Sequence, residues 1–309
     1  MSWTVSDIPD LGGRRALVTG ATDGLGLQTA LALAGRGAQV ILSGRSPAKG
    51  QAALERIRAA WPAADVAFEP ADLSDLAQVR DLARRTGGDP LDMLVNNAGI
   101  MGLPQRRETA DGFEMQLGVN YLAHFVLTGE LLDALRRGAM KRVVSLSSLA
   151  HVGGRLDFDD LQSSRTYTPF KAYGQSKLAM LMFALELQRR SDAHGWGLVS
   201  TAAHPGFATT NLMSGMSGEG GRRHLGQTLG MAAAPLFSHD PAAGALPQLL
   251  AAIAPQATGG SYWGPSGLLE LKGPPKRARI HAHAADPAVA ARLWDVSQAL
   301  TGNPFGDGA

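Results

Sequence analysis

The chain contains no cysteine. That excludes disulfides, a thiolate nucleophile and any cysteine-bound metal. Aromatic residues are scarce, at 6% of 309 positions, and neither sign of charge dominates. The 29 lysines and arginines against 27 aspartates and glutamates leave a net charge of +2. So small an excess makes no case for nucleic-acid binding. No apolar run approaches the roughly 20 residues needed to cross a bilayer. The opening stretch MSWTVSDIPDLGGRR lacks the apolar core of a signal peptide. A cytoplasmic protein with neither nucleic acid nor membrane as a partner is the expectation.

What the chain does have is a rhythm. Short aliphatic runs alternate with longer helical patterns: RALVTG, then LGLQTALALAGRG; AQVILSG, then KGQAALERIRAA; ADVAFEPAD, then LAQVRDLARRTGG. LDMLVNNAG follows, with a long helix over about Phe113–Arg137. KRVVSLSS precedes a helix that runs to about His194, and GLVSTAAHPG is a sixth strand. The aliphatic runs do not alternate with polar residues, so both faces of each strand are buried, as in a parallel sheet covered by helices. Repeated β-α units give an α/β fold, a doubly wound Rossmann-type sheet with helices on both faces. Residues 1–309 read as one dinucleotide-binding and catalytic domain, without repeats or a dividing linker. From 207 to 238 the pattern dissolves into Gly, Met and Ser, which reads as a flexible lid over a substrate. A helix near Pro241–Ile253, a short strand at GGSYWG and a helix at PAVAARLWDVSQAL complete the series.

TGATDGLG joins the first strand to the first helix, with glycines at Gly20, Gly24 and Gly26. Glycines let a backbone approach a pyrophosphate, and a helix N-terminus offers unpaired N–H groups and a positive dipole end. The second strand ends Ser43-Gly44-Arg45, and no Asp or Glu occurs between Asp23 and Glu55. An NAD site wants a carboxylate there, whereas an arginine suits the extra phosphate of NADP. NADP(H) is the expected cofactor. Tyr173-Gly174-Gln175-Ser176-Lys177 puts a phenol and an ammonium four residues apart at the mouth of a helix. A cation on the same helix face favours phenolate, so the pair reads either as a tuned proton donor or as an ordinary helix start. Tyr167 and Lys171 repeat the spacing, but Pro169 lies between them and works against a shared helix face.

TGATDGLG, ADLSD, NNAG, VNYLAHF, SLSS, YGQSK and HPG occur in this order between about Arg14 and Asn211. The ordered set resembles the short-chain dehydrogenase/reductase family. FDDL and AYGQSKLAMLMF are similar to its retinol-dehydrogenase-like branch. The resemblance implies a catalytic set of Asn120, Ser148, Tyr173 and Lys177. Tyr173 would be the acid–base, Lys177 its tuner and a ribose contact, Ser148 a hydrogen-bond donor to the substrate oxygen, and Asn120 a support for a proton relay. Ser147 is the rival of Ser148, since neighbours on a strand point to opposite sides. Ser145 also competes.

Cofactor contacts are implied for Gly20, Thr22, Asp23, Gly24, Leu25, Gly26, Ser43, Arg45, Asp72, Leu73, Asn97, Ala98, Gly99, Tyr173, Lys177, Pro205, Gly206 and Thr210. No metal is called for. The spacing of Ser148 and Tyr173 exceeds that of many family members, and the insertion places Phe158, Tyr167 and Phe170 near an expected pocket wall.

The implied activity is hydride transfer between a nicotinamide and a carbonyl or alcohol carbon, on a small molecule of apolar character. Competing readings are a non-catalytic NADP(H)-binding regulator and a reductase of carbon–carbon double bonds. His204 reads as a strand-end cap, and His281 with His283 lacks a third metal ligand. Helix 178–187 is apolar nearly all round, so one face needs a cover and a homo-oligomer is expected.

Overall fold

The computed structural model describes residues 2–207 and 240–306. One eight-stranded sheet runs through it in the order β3-β2-β1-β4-β5-β6-β7-β8. The strands are β1 Arg15–Thr19, β2 Gln39–Gly44, β3 Val66–Pro70, β4 Met93–Asn96, β5 Arg142–Leu146, β6 Val199–Ala203, β7 Tyr262–Pro265 and β8 Pro275–Arg277. Every pairing from β3 to β7 is parallel, and β8 alone lies antiparallel, against β7. This is the doubly wound sheet that the alternating pattern predicts. Strand order reverses between β1 and β4, so the turns leaving these neighbours open a crevice at the carboxyl edge.

Successive strand residues feed two different cores. Leu17, Ile41, Leu94 and Val143 pack on one face. Ala16, Val18, Val40, Leu42, Val95 and Val144 pack on the other. Helices α1 (Gly24–Ala34), α2 (Pro47–Ala60) and α8 (Pro241–Ile253) cover the second face. Helices α3 (Leu76–Thr86), α5 (Ala123–Glu130), α7 (Pro169–His194) and α9 (Pro287–Thr301) cover the first. Burial on both faces explains why the strands carry aliphatic runs without polar alternation. Side-chain caps set several helix starts: Asp23 for α1, Ser46 for α2, Asp75 for α3 and Asp286 for α9.

Three details differ from the sequence expectation. The helix predicted over about Phe113–Arg137 is divided. A short turn α4 (Met115–Leu117) passes into a π-helical segment at Gly118–Leu122, then α5, then α6 (Leu132–Arg137) after a break at Leu131. The Glu114 carboxylate fixes its start by accepting from the N–H groups of Gln116 and Leu117. Helix α7 begins at Pro169, so Tyr173 sits a turn inside it rather than at its mouth. Proline at the first helical position needs no donor, and thus starts the helix rather than breaking one.

The third difference concerns the helix face from which a homo-oligomer is expected. The run Leu178–Leu187 is covered within its own chain. Phe183 stacks on Trp294 of α9 with ring centroids 5.8 Å apart, and Phe125 and Phe305 complete the aromatic cluster. The apolar face that suggested a second subunit is a binding face for α9. The lid expected at 207–238, and Thr210 with it, lies outside the described residues apart from Phe207.

Candidate active site

Thr19 ends β1, and the chain turns through Gly20 to Gly26 into α1. Gly20 and Gly24 have φ of +64° and +54°, a region costly for any residue with a Cβ. Packing is as demanding as conformation. A Cβ on Gly26 would collide with the Gly20 carbonyl, and one on Gly20 would lie 2.8 Å from Ala98 Cα. The glycine turn and the Asn97–Gly99 turn after β4 therefore lie against each other. Asn97 Nδ2 donates to the Thr19 carbonyl at 2.7 Å.

At the end of β2, Ser43 is buried and its carbonyl accepts from Ala21 N–H. Arg45 is exposed and has no ion-pair partner among the described residues. Gly44 lies against Thr22, and its carbonyl accepts from Ala71 N–H, which brings Asp72 and Leu73 to the same edge. Asp72 accepts from Ser74 N–H and Oγ. Leu25 sits in the first turn of α1, half-buried.

The turn after β5 brings three serines to different places. The Ser145 hydroxyl is fully buried, with no hydrogen-bond partner among the described residues. The Ser147 hydroxyl donates to the Lys177 carbonyl at 2.7 Å, inside the core. Ser148 remains partly accessible, and its hydroxyl is the hydrogen-bond partner of Tyr173. The geometry thus separates Ser148 from its rival.

Tyr173 and Lys177 share a face of α7, with the ammonium 5.9 Å from the phenol ring centre. Lys177 Nζ donates to the Leu146 carbonyl at 2.9 Å. Burial pulls its pKa down to about 8. Burial comes first and raises the Tyr173 pKa, while the Ser148 hydrogen bond works in the opposite direction. The phenol is therefore held protonated at neutrality.

Asn120 lies in the π-helical segment, completely buried. Its Oδ1 accepts from Ile100 N–H at 2.8 Å, and its Nδ2 donates to the Ile100 carbonyl and to Ser176 Oγ, both at 2.9 Å. Ser176 in turn donates to the Tyr173 carbonyl. A Cβ on Gly99 would stand 3.2 Å from Asn120 Oδ1 and 3.3 Å from Lys177 Nζ. The Asn97–Gly99 turn, the asparagine and the lysine thus meet at one bare backbone position.

Pro205 and Gly206 follow the end of β6. Gly206, at φ +69°, abuts the Leu271 carbonyl. His204 accepts from Gly206 N–H through Nδ1, and its Nε2 pairs with Glu270 at 2.9 Å, so it holds a strand end as expected. That hydrogen bond lowers the Glu270 pKa. The second Tyr–Lys pair does not converge. The Tyr167 hydroxyl donates to the Leu103 carbonyl and accepts from Gln116, with its pKa pushed up to about 12 by burial, and Lys171 points to solvent. Phe158 stacks on Arg292 of α9 at 4.1 Å, and Phe170 is 55% exposed.

Three residues escaped the sequence reading. Tyr262 on β7 is fully buried, bonds to Ser147 and raises its own pKa through desolvation. His151, three residues past Ser148, packs edge-on against it, and burial lowers its pKa to about 4. Thr19 precedes the glycine turn, and its hydroxyl is hydrogen-bonded to His124 on α5 and to the Asn97 and Ala98 N–H groups of the turn after β4. No spacing rule marks Tyr262, because it reaches the site by sheet topology alone. Among the described residues no three His, Cys, Asp or Glu side chains are grouped to hold a metal ion, and no helix is long and apolar enough to cross a membrane.

The model for "short chain dehydrogenase" matches residues 14–219. The chain belongs to the short-chain dehydrogenase family. Its relatives place it in the retinol-dehydrogenase-like branch. It is 41% identical over 311 residues to a polyprenol dehydrogenase of Mus musculus, covering 97% of this chain and 87% of that one. It is 41% identical over 298 residues to retinol dehydrogenase 13 of Homo sapiens, covering 94% and 85%. The solved structure of an uncharacterised protein from Mycobacterium paratuberculosis is 38% identical, with a TM-score of 0.79 over 99% of both chains. A Pseudomonas aeruginosa RhlG structure with NADP in its active site is 27% identical, with a TM-score of 0.63 over 82% of this chain and 94% of that one. As a short-chain dehydrogenase the protein is a hydride-transferring oxidoreductase that uses a nicotinamide cofactor and acts on a small molecule.

Proposed function

We propose that this short-chain dehydrogenase is an NADP(H)-dependent carbonyl reductase or alcohol dehydrogenase for an apolar substrate. The observation that carries the reading is the meeting of Ser148, Tyr173 and Lys177 beside Gly99, at the edge where the glycine turn opens. The cradle fits a dinucleotide. Gly20 to Gly26 and the start of α1 suit its pyrophosphate, and Asp72 with Leu73 flanks the adenine end. Asn97–Gly99, Lys177, Pro205 and Gly206 lie towards the nicotinamide end. Arg45, exposed and without an ion-pair partner among the described residues at the tip of β2, suits the 2′-phosphate of NADP. The bound nicotinamide supplies or accepts the hydride.

The protein's own groups handle the oxygen. Tyr173, kept protonated by burial, donates a proton to the substrate oxygen as negative charge develops there. Ser148 offers a second hydrogen bond to that oxygen, which stabilises the charge in a partly dry site. The Lys177 ammonium lies close enough to favour the phenolate left behind. In alcohol oxidation the same groups act in reverse. The apolar substrate is supported by the polyprenol and retinol of the relatives' names.

An NADPH-oxidation screen over aldehydes, ketones, steroids and quinones, run beside Tyr173→Phe, tests the proposal. Turnover by the native protein alone supports it. Full activity in Tyr173→Phe removes the phenol from its role. Tight NADPH binding with no turnover on any compound favours a regulator, and a saturated carbonyl product from an enone favours reduction of the double bond.

A further inference from the structure

The buried ring of His124, on α5, touches both halves of the site. Its Nδ1 lies 3.0 Å from the Asn120 carbonyl and its Nε2 lies 3.0 Å from the Thr19 hydroxyl. A carbonyl only accepts, so Nδ1 carries the ring proton. The neutral ring then has a lone pair at Nε2, and the Thr19 hydroxyl donates to it. The Thr19 oxygen next accepts from the N–H groups of Asn97 and Ala98, each at 3.0 Å. One donor and two acceptor positions are thereby all used. The Val95 carbonyl, the other acceptor near that hydroxyl, is further away at 3.4 Å.

The assignment of protons is thus closed from the turn after β4, through Thr19 and the imidazole, to the backbone of Asn120. Burial, together with the charge of Lys177, lowers the His124 pKa to about 4, which keeps the single-proton ring at neutrality. A doubly protonated ring would offer Thr19 a second donor and break the chain of bonds.

We infer that His124 is a positioning residue: its neutral ring couples the turn that holds the cofactor to the asparagine behind the catalytic lysine. The inference rests on the proposed function, because it assumes that the Asn97–Gly99 turn holds the dinucleotide. It goes beyond that function in predicting that cofactor binding and turnover can be separated at one side chain. Asparagine at 124 can place an amide near the Nδ1 position and keep the donor to Asn120. Glutamine can place its amide oxygen near the Nε2 position and keep the acceptor for Thr19.

The experiment titrates NADPH by fluorescence and measures kcat in the native protein, His124→Asn, His124→Gln, Thr19→Val and Thr19→Val/His124→Asn. Loss of one buried hydrogen bond predicts about tenfold weaker NADPH binding in His124→Asn and in Thr19→Val. The double variant should bind no more weakly than the worse single one, since both cut the same link. His124→Gln should keep native NADPH affinity while kcat falls about tenfold. Equal losses in both parameters for both His124 variants, or additive losses in the double variant, overturn the inference. If His124→Asn does not fold, Thr19→Val decides alone: native NADPH affinity there overturns the coupling. If the native protein itself binds no nicotinamide dinucleotide, it is the proposed function that falls.

Discussion

Replacing Lys177 with methionine should leave a protein that is more stable and nearly inactive. The native ammonium is fully buried, with the Leu146 carbonyl as its hydrogen-bond acceptor. Its pKa falls from 10.5 to about 8, almost wholly through desolvation. A drop of that size corresponds to about 3 kcal/mol of disfavoured charge at neutral pH. Methionine has similar length and no charge, but it gives up the bond to Leu146, worth about 1 kcal/mol. The net gain is about 2 kcal/mol.

The sign of the pH dependence follows from the two states. Unfolded Lys177 keeps its proton up to about 10.5, whereas the folded residue releases it near 8. Between those values the unfolded chain binds more protons, so native stability rises with pH. The cost is fully present below about 8 and fades above it, by about 2 kcal/mol by about pH 9.5. Denaturant unfolding of both proteins, without added cofactor, at about pH 7 and pH 9.5 measures this. The variant should lead at the lower pH and lose that lead at the higher one, with turnover down at least about 100-fold. A variant less stable than the native protein at about pH 7, with an unchanged pH profile, refutes a buried-charge cost at this position.

Other outcomes are equally specific. Tyr173→Phe should lose about 1,000-fold in kcat while NADPH titration shows near-native affinity. Arg45→Ala should weaken NADPH by about tenfold or more and leave NADH unchanged, as read from the two KM values. Ser148→Ala should lower kcat by about 100-fold, whereas Ser147→Ala should keep most activity and lose about 1 kcal/mol of stability, measured by denaturation. Phe305→Ala should cost about 3–5 kcal/mol of stability, visible as a lowered Tm, because the ring is buried against Trp294 and Phe125.

The strands and the glycine turn were legible because they depend on local rules: aliphatic runs for two-sided burial, and glycines where backbone meets backbone. Tyr173 with Lys177 was legible as a pair because both lie on one helix face. The order of the influences on the phenol was not, because desolvation depends on everything that packs around α7. Ser147 and Ser148 could not be separated by letters alone. Their difference is which way each hydroxyl turns, and the Lys177 carbonyl decides it. Tyr262 and His151 come together only when β7 pairs with β6. The π-helical segment was hidden because Gly118–Leu122 has ordinary helical composition, and its geometry shows only in the backbone.

The cover over α7 has a consequence for how the protein is made. Helix α7 carries both ionisable groups of the site, yet Trp294 and Phe305, which close its outer side, leave the ribosome long after it. Arg80 reaches the Thr301 carbonyl at 2.6 Å and Asn303 reaches the Val126 carbonyl, so this late segment also clasps α3 and α5. A nascent chain must therefore leave the stripe of α7 that faces α9 uncovered until synthesis passes Phe305, a period in which chaperones or aggregation compete for it. Premature termination before α9 would then yield insoluble chains rather than a weakened catalyst.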